Sequence, residues 1–191
     1  MTDLAIHPAI AALPRPAGPA DLLAALEAMG IAQTTVEHRA IFTVEEGADI
    51  KASMPGGHTK NLFLKDKNGA LALVSALGET RIPVNKLNKA LAAHGLDFQR
   101  FSFAKEDVLW DALGVRPGSV TAFALVNDPV TDRGGRVTMV LDKALLDHAI
   151  VNFHPLENTA TTSIAPDDLL TFVRDCGHEP AIMDIAAEPA D

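Results

Sequence analysis

The sequence contains no tyrosine, one tryptophan (Trp110) and one cysteine (Cys176) among 191 residues. Each shortage excludes something. A single thiol forms no internal disulfide, which is the pattern of a reduced cytoplasmic protein. So few aromatic faces argue against a stacking platform for single-stranded nucleic acid. No apolar run approaches the ~20 residues that span a bilayer, and no basic n-region precedes the apolar patch near the N-terminus, so neither a membrane segment nor a secretory signal is expected. Apolar side chains are plentiful. At 48% hydrophobic, the chain suits one globular domain with a sizeable core.

Net charge is −9, which at first sight excludes a polyanionic partner. Its distribution says otherwise. Residues 51 to 100 carry Lys51, Lys60, Lys65, Lys67, Arg81, Lys86, Lys89 and Arg100 against Asp66, Glu79 and Asp97, a local net of +5. Either this is a solvated charged face, or it is a basic patch on an acidic body that meets a polyanion in one place.

Pro8, Pro14 and Pro16 make residues 1 to 17 read as an extended N-terminal arm, with one domain over 18 to 191. Pro19 opens a helix that carries Leu22, Leu23, Leu26 and Met29 and stops at Gly30. A short strand follows over Thr34 to His38. Thr43 and Glu46 form a capping-box signature for a helix from about Val44 to Ala52. Asn61 to Asp66 and Ala70 to Ala76 read as strands joined by a hairpin turn at Asn68-Gly69. Pro83 to Gly95 reads as a helix, Phe101 to Phe103 as a strand, and Lys105 to Leu113 as a helix. Val120 to Val126, Val137 to Leu141, Ala149 to Phe153 and Thr161 to Ile164 resemble further strands, and Asp167 to Asp175 a last helix. Interspersed strands and helices with a hairpin predict a mixed α/β domain: a central, mostly antiparallel or mixed sheet flanked by helices.

Standard chemistries find little purchase. Gly56-Gly57-His58-Thr59-Lys60 lacks the Walker spacing and leads into a strand rather than a helix. There is no G-x-S-x-G elbow and no H-E-x-x-H pair, and Cys176-Gly177-His178 alone is a poor zinc site; no metal or cofactor is expected. Cys176 near the end of an amphipathic helix reads better as a buried thiol than as a nucleophile.

Three segments remain. In GGHTKNLFLKDKNG (56 to 69), strand parity puts Lys60, Leu62 and Leu64 on one face and Asn61, Phe63 and Lys65 on the other. Lys60 then sits at the mouth of a core, either snorkelling outward or paired with an anion. In RPGSVTAF (116 to 123), Pro117-Gly118 fits a type II turn, leaving the amides of Gly118, Ser119 and Val120 to face a carbonyl or to decorate the surface. In NFHPLENTATTSI (152 to 164), His154 follows an apolar strand and precedes proline, so its ring either turns into a cleft or is satisfied in the core.

Together with HRAIFTVEE (38 to 46), these segments resemble, in order, the YbaK/ProX-type aminoacyl-tRNA editing family, with the last two most like the branch that removes alanine from proline tRNA. The resemblance implies a YbaK-like fold with a cleft for the tRNA 3′ end. It implies Lys60 as the contact to a terminal phosphate and Gly118 and Ser119 as backbone facing the aminoacyl group. It places His154 near the pocket, with Asn61, Thr43, His58 and Val120 as further substrate contacts. No metal or cofactor is implied, and water assisted by the terminal ribose hydroxyl is the nucleophile. The expected activity is ester hydrolysis on Ala-tRNA(Pro) by a cytoplasmic, freestanding enzyme that meets prolyl-tRNA synthetase or elongation factor transiently. A Cys-tRNA(Pro) deacylase and a non-catalytic tRNA- or synthetase-binding module are the alternatives.

Overall fold

The β-branched and apolar runs of the chain pair into one eight-stranded mixed sheet. A computed structural model describes residues 5–40, 48–129 and 135–186. The strands are β1 (Gln33–Glu37), β2 (Gly57–Asp66), β3 (Leu71–Leu77), β4 (Phe101–Phe103), β5 (Val137–Asp142), β6 (Val151–Phe153), β7 (Ala160–Ile164) and β8 (Ala181–Met183). They lie in the order β1-β7-β6-β2-β3-β5-β8, with β4 also paired to β2. Neighbours β1/β7, β7/β6, β2/β3 and β2/β4 run antiparallel, while β6/β2, β3/β5 and β5/β8 run parallel. The helices are α1 (Pro8–Ala11), α2 (Pro19–Ala28), α3 (Ala48–Ser53), α4 (Leu87–Ala92), α5 (Glu106–Leu113) and α6 (Pro166–Asp175). Among the described residues no helix is long and apolar enough to cross a membrane.

Sheet parity divides the interior into two cores. Phe63 and its partner Leu73 join a large core with Phe123, Phe153 and Phe172. Leu64 and its partner Ala72 join a smaller one with Leu87, Leu91, Phe98 and Phe101. The central strand β3 is buried at every position, and so reads as a continuous apolar run rather than an alternating one. Each of its buried leucines stabilises the fold by ~1.5–3 kcal/mol.

Several expectations change. Within the expected N-terminal arm, residues 5 to 17 do not simply run extended: α1 forms a helical turn, and Ile10 and Ala17 are buried in the large core. Val120 to Val126 is not a strand, because Ala122–Asn127 is a 3₁₀ helix capped by Thr121, and its residues through Val126 are all buried. An element apolar on every side carries no periodicity with which to tell helix from strand. Pro83 does not open α4, which starts at Leu87 after a turn in which the Lys86 amide donates to Pro83 O at 2.8 Å. The expected Val44 to Ala52 helix is seen as α3; its start, with Thr43 and Glu46, lies outside the described residues. The second 3₁₀ helix (Lys143–Asp147) and β8 have no counterpart in the sequence reading.

Candidate functional site

The site grows from the junction between α3 and β2. Gly56 has φ +100°, and a Cβ there would lie 2.4 Å from the carbonyl oxygen of Ile150, so only glycine lets the chain pass so close to β6. The next amide, Gly57, donates to that same carbonyl at 2.9 Å. β2 and β6 then pair only through Gly57↔Val151 and His58↔Asn152. The Thr59 hydroxyl donates to Asn152 O at 2.7 Å, and beyond it the two strands part, because β2 takes up β4 on that edge from Leu64 onward. Asn152, almost fully buried, ties the fork down: its Nδ2 donates to Pro55 O at 2.9 Å and its Oδ1 accepts from the Ser163 hydroxyl at 2.6 Å.

A pocket of about 60 Å³ lies beside this fork, walled among others by Lys51, His58, Thr59, Asn152, His154 and Thr161. His154 is half-buried, and its Nδ1 lies 2.7 Å from Ala160 O. A carbonyl can only accept, so Nδ1 carries the proton and the neutral ring keeps its lone pair on Nε2. Burial pushes the imidazole below its usual pKa, partly countered by the bond to Ala160, while His38 and Lys51 nearby push in the same direction as burial. The Pro155–Leu156 bend that follows is held by the Leu156 amide donating to His154 O at 3.0 Å, with Leu156 at φ +69°. That is an uncommon conformation for a leucine, maintained by burying its side chain in the large core. His38 stands behind Thr161: its Nδ1 donates to Arg39 O at 2.7 Å, and its Nε2 lies 2.8 Å from the Thr161 hydroxyl. His58 lies across the pocket with Nε2 donating to Met54 O at 3.1 Å.

Lys60 stands on the expected face, opposite Ala76 and in line with Leu62 and Leu64. Its Nζ donates to Gly78 O at 3.0 Å. Burial lowers its pKa from the usual lysine value, against the opposing pull of Glu79 and Asp142. Gly78 borders a second cavity of about 340 Å³, which shares Lys51 and His58 with the small pocket. Asn61 points to the opposite face, where its Oδ1 accepts from the Ser75 hydroxyl at 2.5 Å.

Gly118 has the φ of +90° that a type II turn requires at that position, and the Ser119 amide closes the turn on Arg116 O at 3.0 Å. That amide is therefore spent, so the expected set of open amides shrinks. Gly118 is exposed, Ser119 is buried, and Val120 packs against the large core. None of the three borders the small pocket. His58 and His154 are thus brought together, Lys60 lies next to them through Gly78, and Asn61 and the 116–119 turn stand apart. Thr43 lies outside the described residues. Sequence reasoning gave no role to Lys51, Asn152, Thr161 or Gly78. Of these, Asn152 and Thr161 fall inside a quoted segment, but their convergence needs the strand register.

Cys176 is fully buried, with burial pushing its thiol far above the usual range, which disqualifies it as a nucleophile. Among the described residues no group of three or more His, Cys, Asp and Glu is placed to hold a metal ion.

The aminoacyl-tRNA editing domain family matches residues 38–172. The chain is 41% identical over 171 residues to prolyl-tRNA synthetase associated domain-containing protein 1 of Bos taurus, covering 86% of this chain and 95% of that one. It is 31% identical over 158 residues to the prolyl-tRNA editing protein ProX of Acetoanaerobium sticklandii, covering 82% and 91%. The crystal structure of a candidate trans-editing enzyme for prolyl tRNA synthetase superposes with a TM-score of 0.60 at 20% identity, covering 94% of this chain and 99% of that one, a likeness of fold. With a match that spans the pocket, the fork and the turn alike, the chain belongs to the aminoacyl-tRNA editing domain family.

Proposed function

We propose that this protein is a trans-acting deacylase that hydrolyses the ester of alanine mischarged onto proline tRNA. The observation that carries this reading is the size and company of the small pocket. At about 60 Å³ it is a small pocket, better suited to a short side chain such as the alanine methyl than to a proline ring. Lys51 walls it, and Lys60 donates to Gly78 O on the rim of the neighbouring cavity; their charges suit the phosphates of a tRNA 3′ end. The names of the relatives, a prolyl-tRNA editing protein and a prolyl-tRNA synthetase associated protein, support editing connected with proline tRNA, without naming the amino acid removed, and make prolyl-tRNA synthetase a candidate partner.

The chemistry asks little of the protein, since an aminoacyl ester is already activated. Lys60 holds a terminal phosphate and fixes the ester's position. The Nε2 lone pair of His154 accepts from the attacking water, which the neighbouring ribose hydroxyl assists. Water oxygen bonds to the ester carbon, the bond to the ribose oxygen breaks, and that oxygen leaves with a proton. Alanine and uncharged tRNA result. The logic is a second sieve: a synthetic site built for proline rejects the smaller alanine by only ~1–3 kcal/mol, whereas a pocket too small for proline rejects the correct product outright.

The test is incubation with Ala-, Cys- and Pro-charged proline tRNA. Loss of the alanyl ester with the prolyl ester intact is expected; survival of the alanyl ester refutes the proposal. Preferential loss of the cysteinyl ester would identify a Cys-tRNA(Pro) deacylase, a reading the pocket volume equally admits. Lys60→Ala separates an enzyme from a non-catalytic binding module. It should lower deacylation by about 100-fold, as expected when a charge-assisted hydrogen bond of roughly 3 kcal/mol is removed, without moving the thermal midpoint by more than a few degrees.

A further inference from the structure

Lys51 lies on α3, outside the segments that carry the strand lysine, yet its side chain reaches the same spot. Its Nζ is 3.8 Å from the point where a Cβ on Gly78 would lie, and Lys60 Nζ donates to the carbonyl of that same Gly78 at 3.0 Å. Two ammonium groups thus converge on one bend from two elements. The bend itself is fixed, because the Gly78 amide donates to His58 O at 2.8 Å. α3 is fixed as well: the Arg39–Asp49 ion pair at 3.2 Å holds its start, and Pro55 O just beyond it accepts from buried Asn152. Lys51 walls both cavities, the small pocket with His154 and the larger one with Gly57, Gly78, Glu79 and His148. Glu79 lines the same cavity, and its charge, together with that of Asp142, favours the protonated form of Lys60. Two cations that reach one bend at a cavity wall make a place suited to an anion.

We propose that Lys51 and Lys60 form a two-cation clamp over Gly78, with the cavity of about 340 Å³ as a binding site for the phosphodiester backbone of an RNA 3′ end. A phosphate there meets both ammonium groups, and the aminoacyl group is delivered into the small pocket that Lys51 also walls. The occupant is RNA on the editing function proposed above, since charge converging from two elements suits the phosphates of its 3′ end. Its affinity therefore comes from phosphate contact and counterion release. The inference rests on the editing function proposed above and adds to it a second phosphate contact on a different element.

Binding decides it. An RNA hairpin reproducing the acceptor stem and 3′ end of proline tRNA, uncharged and fluorescently labelled, is titrated against the whole protein at several salt concentrations. Lys51→Ala should weaken binding about tenfold and reduce the slope of log affinity against log salt by roughly 0.7, the share of one phosphate on a single strand. Lys51→Arg should restore most of both, and Lys51→Met, which keeps the stem, should behave as alanine does. Affinity and slope within twofold of wild type in Lys51→Ala overturn the clamp. So does a loss that arginine fails to rescue, or one that leaves the slope unchanged, since packing rather than charge would then be responsible. If Lys51→Ala fails to fold, Lys51→Met carries the comparison. Because uncharged RNA is the ligand, the clamp stands or falls independently of whether any ester is hydrolysed.

Discussion

His154 offers the sharpest consequence of a single side chain. Its proton sits on Nδ1 because a carbonyl at 2.7 Å demands a donor, and burial holds its pKa below the usual 6.5. The unfolded chain therefore takes up this proton at a higher pH than the folded one does. Between the lowered folded value and 6.5 the unfolded state binds more protons, so the stability contributed here rises with pH and levels off above about 6.5. Buried His178, also held below its usual value by desolvation, adds to the same trend, so a difference measurement is needed. Chemical denaturation at pH 5 and pH 7 should show wild type gaining stability over this interval, and His154→Gln gaining measurably less. An equal gain in both would mean the imidazole titrates alike in the folded and unfolded chain. The rate should follow the same group in the folded protein, staying flat down through pH 6.5 and falling only at lower pH, where Nε2 becomes protonated.

At the scale of elements, the site depends on how closely the chain leaving α3 approaches β6. Gly56→Ala places a methyl 2.4 Å from Ile150 O at a φ of +100°, and neither partner is a flexible side-chain end. We expect a cost of at least ~2 kcal/mol, which for a chain of this size lowers the thermal midpoint by roughly 4–8 °C. Because relief requires α3 to lift away, taking Lys51 and the Met54 carbonyl with it, deacylation should fall even at temperatures where the variant is folded. A variant with wild-type melting and rate would mean that α3 and β6 have slack between them.

The same junction shows what could be read from the chain alone. The hairpin of β2 and β3 was legible because its strands are bounded by turn residues, and strand parity along β2 is enough to place Lys60 on the right face. Pro117-Gly118 was legible because a type II turn needs positive φ at its third residue. The fork between β2 and β6 was not, since it depends on a parallel pairing of only two residues between segments nearly a hundred positions apart. Lys51 was counted in the basic patch, but its place beside Gly78 was hidden for the same reason: nothing near it in sequence announces that bend. The 122–127 helix was misread as a strand because complete burial erased the periodicity that separates the two.

Taken whole, the molecule sets a polyanion site within an acidic body. The net charge is −9, while residues 51 to 100 alone sum to +5, so long-range attraction for RNA is weak and binding must come from a few local contacts. Lys51 and Lys60 supply two of them, and further cations of that segment supply at most a few more. For two to three phosphate contacts to single-stranded RNA, the slope of log affinity against log salt should lie near −1.4 to −2.1. Raising salt from 50 to 200 mM should then reduce kcat/KM for charged tRNA by about tenfold, while kcat at saturating substrate stays nearly constant because the chemistry involves no further phosphate contact. A much steeper dependence would mean that the tRNA body lies along an extended basic surface. A flat one would mean that the 3′ end is held by shape and hydrogen bonds with no net phosphate neutralisation, and the charge concentrated around Gly78 would then need another purpose. Between these limits, the slope measures how many phosphates an acidic protein grips to bring one ester to its pocket.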